Sequence, residues 1–151
     1  MKRRSVDTRF GLLTLCEREG AIVALSWGGG VEGDSSDLLE RAAEQLAAYD
    51  RKERTGFDLP LRVAGSAFQQ AVCRAISAIP FGETRTYGEI ARDLGVTAQA
   101  VGQACGANPI PVIIPCHRVM GARGLTGFSG AGGVETKVAL LRHEGAAGLL
   151  I

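Results

Sequence analysis

The sequence predicts an α+β fold in two small units, a strand-led α/β unit over residues 1–62 and a mainly helical unit over residues 66–151. Three observations carry this reading. Apolar residues fill two short stretches, 8–15 and 21–27, on either side of Glu17-Arg18-Glu19-Gly20, the pattern of a hairpin. From Ser66 onward the apolar residues recur at helical spacing, and segment after segment opens on Ser or Thr. The length, 151 residues, suits one ordinary domain or two small ones sharing an interface.

Composition narrows the class. The chain is 46% hydrophobic and 22% charged, a globular profile. No apolar run approaches the roughly 20 residues that span a bilayer. The basic start, Met1-Lys2-Arg3-Arg4, is followed by Ser5-Val6-Asp7-Thr8-Arg9 and not by an apolar core, so no signal peptide is expected and a cytoplasmic protein without a membrane partner is. The four cysteines, Cys16, Cys73, Cys105 and Cys116, include no CxxC pair, and the two histidines are His117 and His143. Those spacings do not suit a zinc site, and a cytosolic chain does not favour a disulfide framework. Each cysteine is then a small buried hydrophobe or a reactive thiol. Net charge is +1; residues 1–62 hold 10 basic against 11 acidic side chains, and residues 63–151 hold 7 against 5. A modest basic bias in the second half does not by itself establish nucleic-acid binding.

In order along the chain, the hairpin is followed by Gly28-Gly29-Gly30, which breaks the pattern. Asp37, with Glu40 three residues on, is expected to cap a helix whose inner face is Leu38, Leu39, Ala42, Ala43, Leu46 and Tyr49. A charged loop over residues 50–56 leads to a short extended piece at 57–61. Trp27 and Tyr49 read as core. The linker is residues 62–65. Ser66 then opens a helix, with Gln69 completing a capping box and Phe68, Val72, Ala75, Ile76 and Ile79 facing inward; Pro80-Phe81-Gly82 stops it. Thr86 with Glu89 opens the next helix, which turns in Ile90, Ala91 and Leu94 and ends at Gly95. Thr97 caps a short one from Ala98 to Cys105, closed by Gly106. Two short helices joined through a glycine are either a helix-turn-helix or an ordinary αα-hairpin. The second has no charge and almost no bulk, which suits close approach to a narrow minor groove better than reading major-groove edges. A glycine-rich loop over 127–133 precedes a last helix from about Val134 to His143, with Val138, Leu140 and Leu141 apolar and Glu144 at its edge; the tail Leu149-Leu150-Ile151 is expected to pack.

The stretch Asn108-Pro109-Ile110-Pro111-Val112-Ile113-Ile114-Pro115-Cys116-His117 is the most informative. An apolar run between prolines reads as a rigid, buried segment that delivers Cys116 to one fixed place. A thiolate is a nucleophile whose population rises beside a base, so His117, oriented by Glu144, would complete a Cys–His–Glu relay. A packed cysteine beside an unrelated histidine is the alternative.

Pro115-Cys116-His117-Arg118-Val119 resembles the active-site signature of the O6-alkylguanine-DNA alkyltransferases, also called methylated-DNA–protein-cysteine methyltransferases. Asn108-Pro109-Ile110-Pro111 resembles that family's asparagine turn, the segment from Pro80-Phe81-Gly82-Glu83 to Tyr87-Gly88-Glu89-Ile90-Ala91 its first helix-turn-helix element, and Leu140-Leu141-Arg142-His143-Glu144-Gly145 its final helix. The resemblance implies a small RNase-H-like α/β domain followed by a winged helix-turn-helix domain. It implies a monomer without cofactor or metal, acting on double-stranded or single-stranded DNA that contains O6-alkylguanine, with O4-alkylthymine as a further substrate. The damaged base would be rotated out of the stack, because its alkyl group lies inside the base pair. Cys116 would take the alkyl group once and irreversibly, His117 and Glu144 would polarise a water that removes its proton, Asn108 would brace the turn, and Tyr87 would donate a hydrogen bond to the departing guanine. DNA contacts would come from Thr86, Tyr87, Ala98, Gln99, Ala100, Gly102 and Arg118, and the base pocket from Val119 and Ser129. A non-repairing DNA-binding protein of the same fold, and a cysteine hydrolase unrelated to DNA, are the competing functions.

Two departures matter. Gln99 stands where the family usually carries an arginine that fills the gap left by the flipped base, and glutamine lacks the planar cation. Phe128 stands where tyrosine is frequent, in a loop about two residues longer than usual.

Overall fold

The structure is a computed structural model that describes residues 2–29, 33–121 and 133–146. It divides into two compact units, Met1–Ala64 and Gly65–Ile151.

The first unit is an antiparallel three-stranded sheet, β1 (Lys2–Thr8), β2 (Gly11–Arg18) and β3 (Ala21–Trp27), in the order β1-β2-β3, with helix α1 (Asp37–Asp50) packed on it. The expected hairpin is β2–β3, closed by Glu19 and Gly20, both at positive φ (50° and 79°), as two-residue hairpin turns require. Two corrections belong here. Residues 2–8 form a strand of their own, and the stretch 8–15 spans the end of β1, its turn and most of β2. Their charged composition disguised them: β1 is an edge strand, and edge strands carry charge because it blocks pairing with another chain. Ser36, not Asp37, caps α1, its hydroxyl accepting from the Leu39 amide at 3.1 Å. Leu13, Leu15, Ile22, Leu25, Leu39, Leu46 and Tyr49 form this unit's core. The extended piece before the linker runs parallel to β3 through an Ile22–Leu61 bridge.

The second unit contains α2 (Ala67–Ser77), β4 (Arg85–Thr86), α3 (Tyr87–Leu94), α4 (Ala98–Gly106), a 3₁₀ turn (Cys116–Arg118), β5 (Val119–Met120) and α5 (Val134–Glu144). The expected caps are present at Ser66, Thr86 and Thr97. Thr86 and Glu89 make a full reciprocal capping box. At Ser66 the reciprocal half is missing, because the Gln69 amide donates to the Ala104 carbonyl at 2.9 Å and ties α2 to α4. Gly95, at φ 68°, ends α3 in the left-handed conformation that glycine adopts without penalty. Gly106 does not close α4 but is its last residue, with Ala107 as cap. Helices α2, α3 and α4 pack on one another, while β4 and β5 pair in parallel, an association across some 34 residues that no local pattern announces. Val72, Ile76, Ile90, Val101, Ile110, Ile114, Val119, Leu140 and Leu141 form the second core. No described helix is long and apolar enough to cross a membrane.

Candidate active site

The chain is buried throughout from Ile110 to Val119, and the shape of the segment between α4 and the 3₁₀ turn is set by one side chain. Asn108 Nδ2 donates to the Ile114 carbonyl at 2.8 Å, and its Oδ1 accepts from the Ile110 amide at 3.0 Å. The amide of Ile114 donates to the Ile110 carbonyl at 2.8 Å and closes the loop inside that clamp. Val112, at its tip, has φ 73°, a conformation that costs a β-branched residue about 1–3 kcal/mol and persists only where neighbours over-determine it. Prolines on both sides limit the alternatives. The chain then bends at Pro115, the Cys116 amide donates to the Ile114 carbonyl at 2.8 Å, and Cys116 begins the 3₁₀ turn.

Cys116 is 4% exposed. Burial pushes its thiol above the ordinary 9.0, an effect offset in part by a hydrogen bond with Asn108 and by the positive field of Lys137. At neutral pH the sulfur is therefore protonated, and reaction at it needs a base.

His117 supplies a candidate. It is wholly buried, and its Nε2 lies 2.8 Å from Glu144 Oε2. Burial holds the imidazole below the 6.5 of a free one, so it is neutral at pH 7 despite the adjacent carboxylate. Nδ1 is buried and has no hydrogen-bond partner among the described residues. Because an ionised carboxylate only accepts, the Glu144 contact assigns the proton to Nε2 and leaves the Nδ1 lone pair bare. Burial alone would raise the Glu144 carboxyl, but hydrogen bonds with His117 and Arg118 and their charges bring it down to about 2.

Glu144 reaches this place as the last residue of α5, where Gly145 terminates the helix at φ 63°. The inner face of α5 is Lys137, Leu140, Leu141 and Glu144, an i, i+3, i+4, i+7 stripe with a charge at each end. Val138, expected inside, is half-buried. Lys137 was not anticipated. It is 0% exposed, its Nζ donates to the Val119 carbonyl at 2.5 Å, and it lies 5.8 Å from the ring centroid of Tyr87. Desolvation lowers its pKa, and Cys116 and Cys105 oppose that shift. Tyr87, first residue of α3, is thereby linked to the cysteine side of the site. The seven-residue spacing of Lys137 and Glu144 was the available signal, masked by the usual presumption that lysines face water.

Arg118 requires a correction. It was expected at the DNA surface, but it is 6% exposed, and its guanidinium forks onto Glu144 through Nε–Oε1 at 2.8 Å and Nη2–Oε2 at 2.9 Å. A third donor, Nη1, reaches the Ile79 carbonyl at 2.7 Å, and the guanidinium carbon lies 5.8 Å from the Phe81 ring centroid. With those donors engaged inside the protein, it is not positioned to hold a phosphate. Val119, a proposed pocket residue, is fully buried in β5.

Of the other expected DNA contacts, Ala98 and Gln99 are exposed at the start of α4, and Thr86, Ala100 and Gly102 are half-buried. Gln103 joins the exposed face, while Val101, Ala104 and Cys105 turn inward. Burial raises the Cys105 thiol to about 12, so it is inert packing. Ser129, Phe128, the rest of the glycine-rich loop before Gly133, and the 149–151 tail lie outside the described residues.

Known proteins resemble this chain along most of its length. A family model described as "6-O-methylguanine DNA methyltransferase, DNA binding domain" matches residues 67–146. The chain is 45% identical over 153 aligned positions to a methylated-DNA–protein-cysteine methyltransferase of Mycolicibacterium paratuberculosis, covering 93% of this chain and 90% of that one. It is similar to the crystal structure of Mycobacterium tuberculosis O6-methylguanine methyltransferase, with TM-score 0.85, 42% identity and coverage of 95% and 92%. A structure of the M. tuberculosis protein in complex with DNA matches at TM-score 0.85 and 40% identity, covering 99% of this chain and 98% of the other.

Proposed function

This chain belongs to the 6-O-methylguanine DNA methyltransferase family, and from that membership we propose that Cys116 is the residue that accepts the alkyl group from O6-alkylguanine. Its activity is DNA repair by methylated-DNA–protein-cysteine methyl transfer, and it binds DNA. The observation that carries the assignment to Cys116 is the neighbouring His117, whose Nε2 is tied to an ionised Glu144 while its Nδ1 stays bare.

In the proposed reaction, a water held by His117 Nδ1 takes the Cys116 proton and passes one to the imidazole. The resulting thiolate attacks the alkyl carbon, an S–C bond forms, and the C–O6 bond breaks with its electron pair going to guanine. Tyr87 donates a hydrogen bond to the departing base, so less negative charge builds on it. The thioether has no easy leaving step, so each molecule acts once. O4-alkylthymine presents the same alkyl–oxygen bond and is a further substrate.

Helices α3 and α4 with the β4–β5 ladder serve as a winged helix-turn-helix, and the first unit as an RNase-H-like domain. The exposed face of α4, with Ala98, Gln99 and Gln103, approaches the minor groove, while Thr86, Tyr87, Ala100 and Gly102 line its approach and Val119 and Ser129 flank the extruded base. The protein acts as a cytoplasmic monomer. Glutamine at position 99 gives weak support to the base-shaped gap in the duplex. Gln99→Arg is therefore expected to raise the repair rate on duplex DNA roughly five- to thirtyfold, the equivalent of about 1–2 kcal/mol of cationic stacking, with little change on single strands. Equal duplex rates for the two proteins would remove Gln99 from the extrusion step.

The function is tested by titrating the protein against a duplex carrying one O6-methylguanine and digesting the DNA to nucleosides. Restored guanine should plateau at one lesion per protein molecule. Binding without restored guanine would leave a DNA-binding module only, and continued turnover would rule out a stable thioether.

A further inference from the structure

We propose that Arg118 is a positioning residue for alkyl transfer, acting through Glu144 to hold His117 in the one tautomer that can accept a proton. The inference rests on the reading of Cys116 and His117 given above and extends it to a side chain buried against Glu144. Glu144 Oε2 is shared: it faces His117 Nε2 at 2.8 Å and Arg118 Nη2 at 2.9 Å. The other oxygen, Oε1, accepts from Arg118 Nε at 2.8 Å. This two-bond fork fixes both the plane of the carboxylate and its charge. The guanidinium is itself anchored, by the Ile79 carbonyl just beyond α2 and by the Phe81 ring. Arg118 thus connects the chain after α2, the 3₁₀ turn that carries Cys116 and His117, and the end of α5.

The consequence is chemical. A carboxylate paired with Arg118 can only accept, so His117 must present Nε2–H to it and keep a bare Nδ1 on the other side of the ring. Without the guanidinium, a buried carboxyl tends to protonate. It can then donate to Nε2, which moves the imidazole proton to Nδ1 and removes the base. Charge at Glu144 and base strength at His117 are therefore one property, and Arg118 sets it.

The test compares single-turnover repair of an O6-methylguanine duplex by wild type, Arg118→Lys, Arg118→Met, Glu144→Gln and the Arg118→Met/Glu144→Gln double variant, each from pH 5 to 9. The acid limb of the rate profile, set by His117, should move upward by about one pH unit or more in Arg118→Met, because the guanidinium charge that helps to hold the imidazole down is gone and the Glu144 carboxyl is no longer held ionised by it. It should move by less in Arg118→Lys, which keeps the charge and loses the fork. In the Glu144→Gln background, Arg118→Met should change the rate by less than about twofold, since the group it acts on is gone. The salt dependence of DNA binding should stay as in wild type.

An unshifted profile in both Arg118 variants overturns the proposal, as does an equal rate loss in the two backgrounds. A salt slope reduced by about one would return Arg118 to phosphate contact. Should Arg118→Met fail to fold, Arg118→Lys and the double variant, in which no carboxylate is left unpaired, carry the same comparison. Wild-type protein that restores no guanine would instead refute the functional reading itself.

Discussion

Alkyl transfer by a His117→Ala variant is expected to fall by roughly 10²–10⁴-fold at pH 7.5, the range for losing a positioned general base, while affinity for the DNA stays unchanged. The size follows from the cysteine's surroundings. Burial pushes the Cys116 thiol above 9.0, so little thiolate exists at neutral pH unless a base removes the proton as reaction proceeds. His117 is suited to this because burial pushes its own pKa the other way, below 6.5, leaving it neutral and able to accept. The two shifts fix the pH behaviour. Wild-type rate should hold steady above the depressed histidine pKa and fall as pH drops through it. The variant should have no such plateau, and its rate should climb about tenfold per pH unit toward the raised thiol pKa. A variant with wild-type rate at pH 7.5 would separate His117 from the proton transfer.

Asn108→Ala should unfold the approach to the cysteine. The substitution leaves the Ile110 amide buried without its side-chain partner, at about 1–3 kcal/mol, and takes one of two donors from the Ile114 carbonyl, which keeps the Cys116 amide, at about 1 kcal/mol, so a loss of roughly 2–4 kcal/mol is expected in denaturant unfolding. The strained Val112 inside the clamp would then relax, and Cys116 would lose its fixed position. Asn108→Asp is the sharper test. It retains an acceptor for Ile110 but no donor for Ile114, and it sets a carboxylate beside the thiol. At neutral pH this variant should lose as much stability or more, because its buried carboxylate faces the Ile114 carbonyl without a donor, and it should transfer more slowly because the added negative charge raises the thiol pKa further. Rapid transfer by a folded Asn108→Ala protein would mean that the prolines alone hold the turn.

What the sequence made legible follows from the range of each interaction. The caps at Ser66, Thr86 and Thr97, and the β2–β3 hairpin, are local and were readable from neighbours a few residues apart. Strand β1 was not, because an edge strand protected by charge looks like solvent-exposed chain. The Asn108 clamp was suggested by its prolines. Arg118 was misplaced for a physical reason: an arginine next to a catalytic motif in a DNA-binding chain fits a phosphate contact equally well until its carboxylate partner, 26 residues away, is seen to be buried with it. Lys137 was missed for the same reason, since only the packing of α5 shows that its face turns inward.

The most direct measurement is fragment-ion mapping of the tryptic peptide spanning residues 93–118 after reaction with an O6-methylguanine duplex, because that peptide carries both Cys105 and Cys116. The added CH₂ should lie on Cys116, in proportion to guanine restored, with Cys105 unmodified and a Cys116→Ala protein unchanged. Methylation at Cys105, or restored guanine without a modified Cys116, would contradict the assignment of the reaction to this thiol.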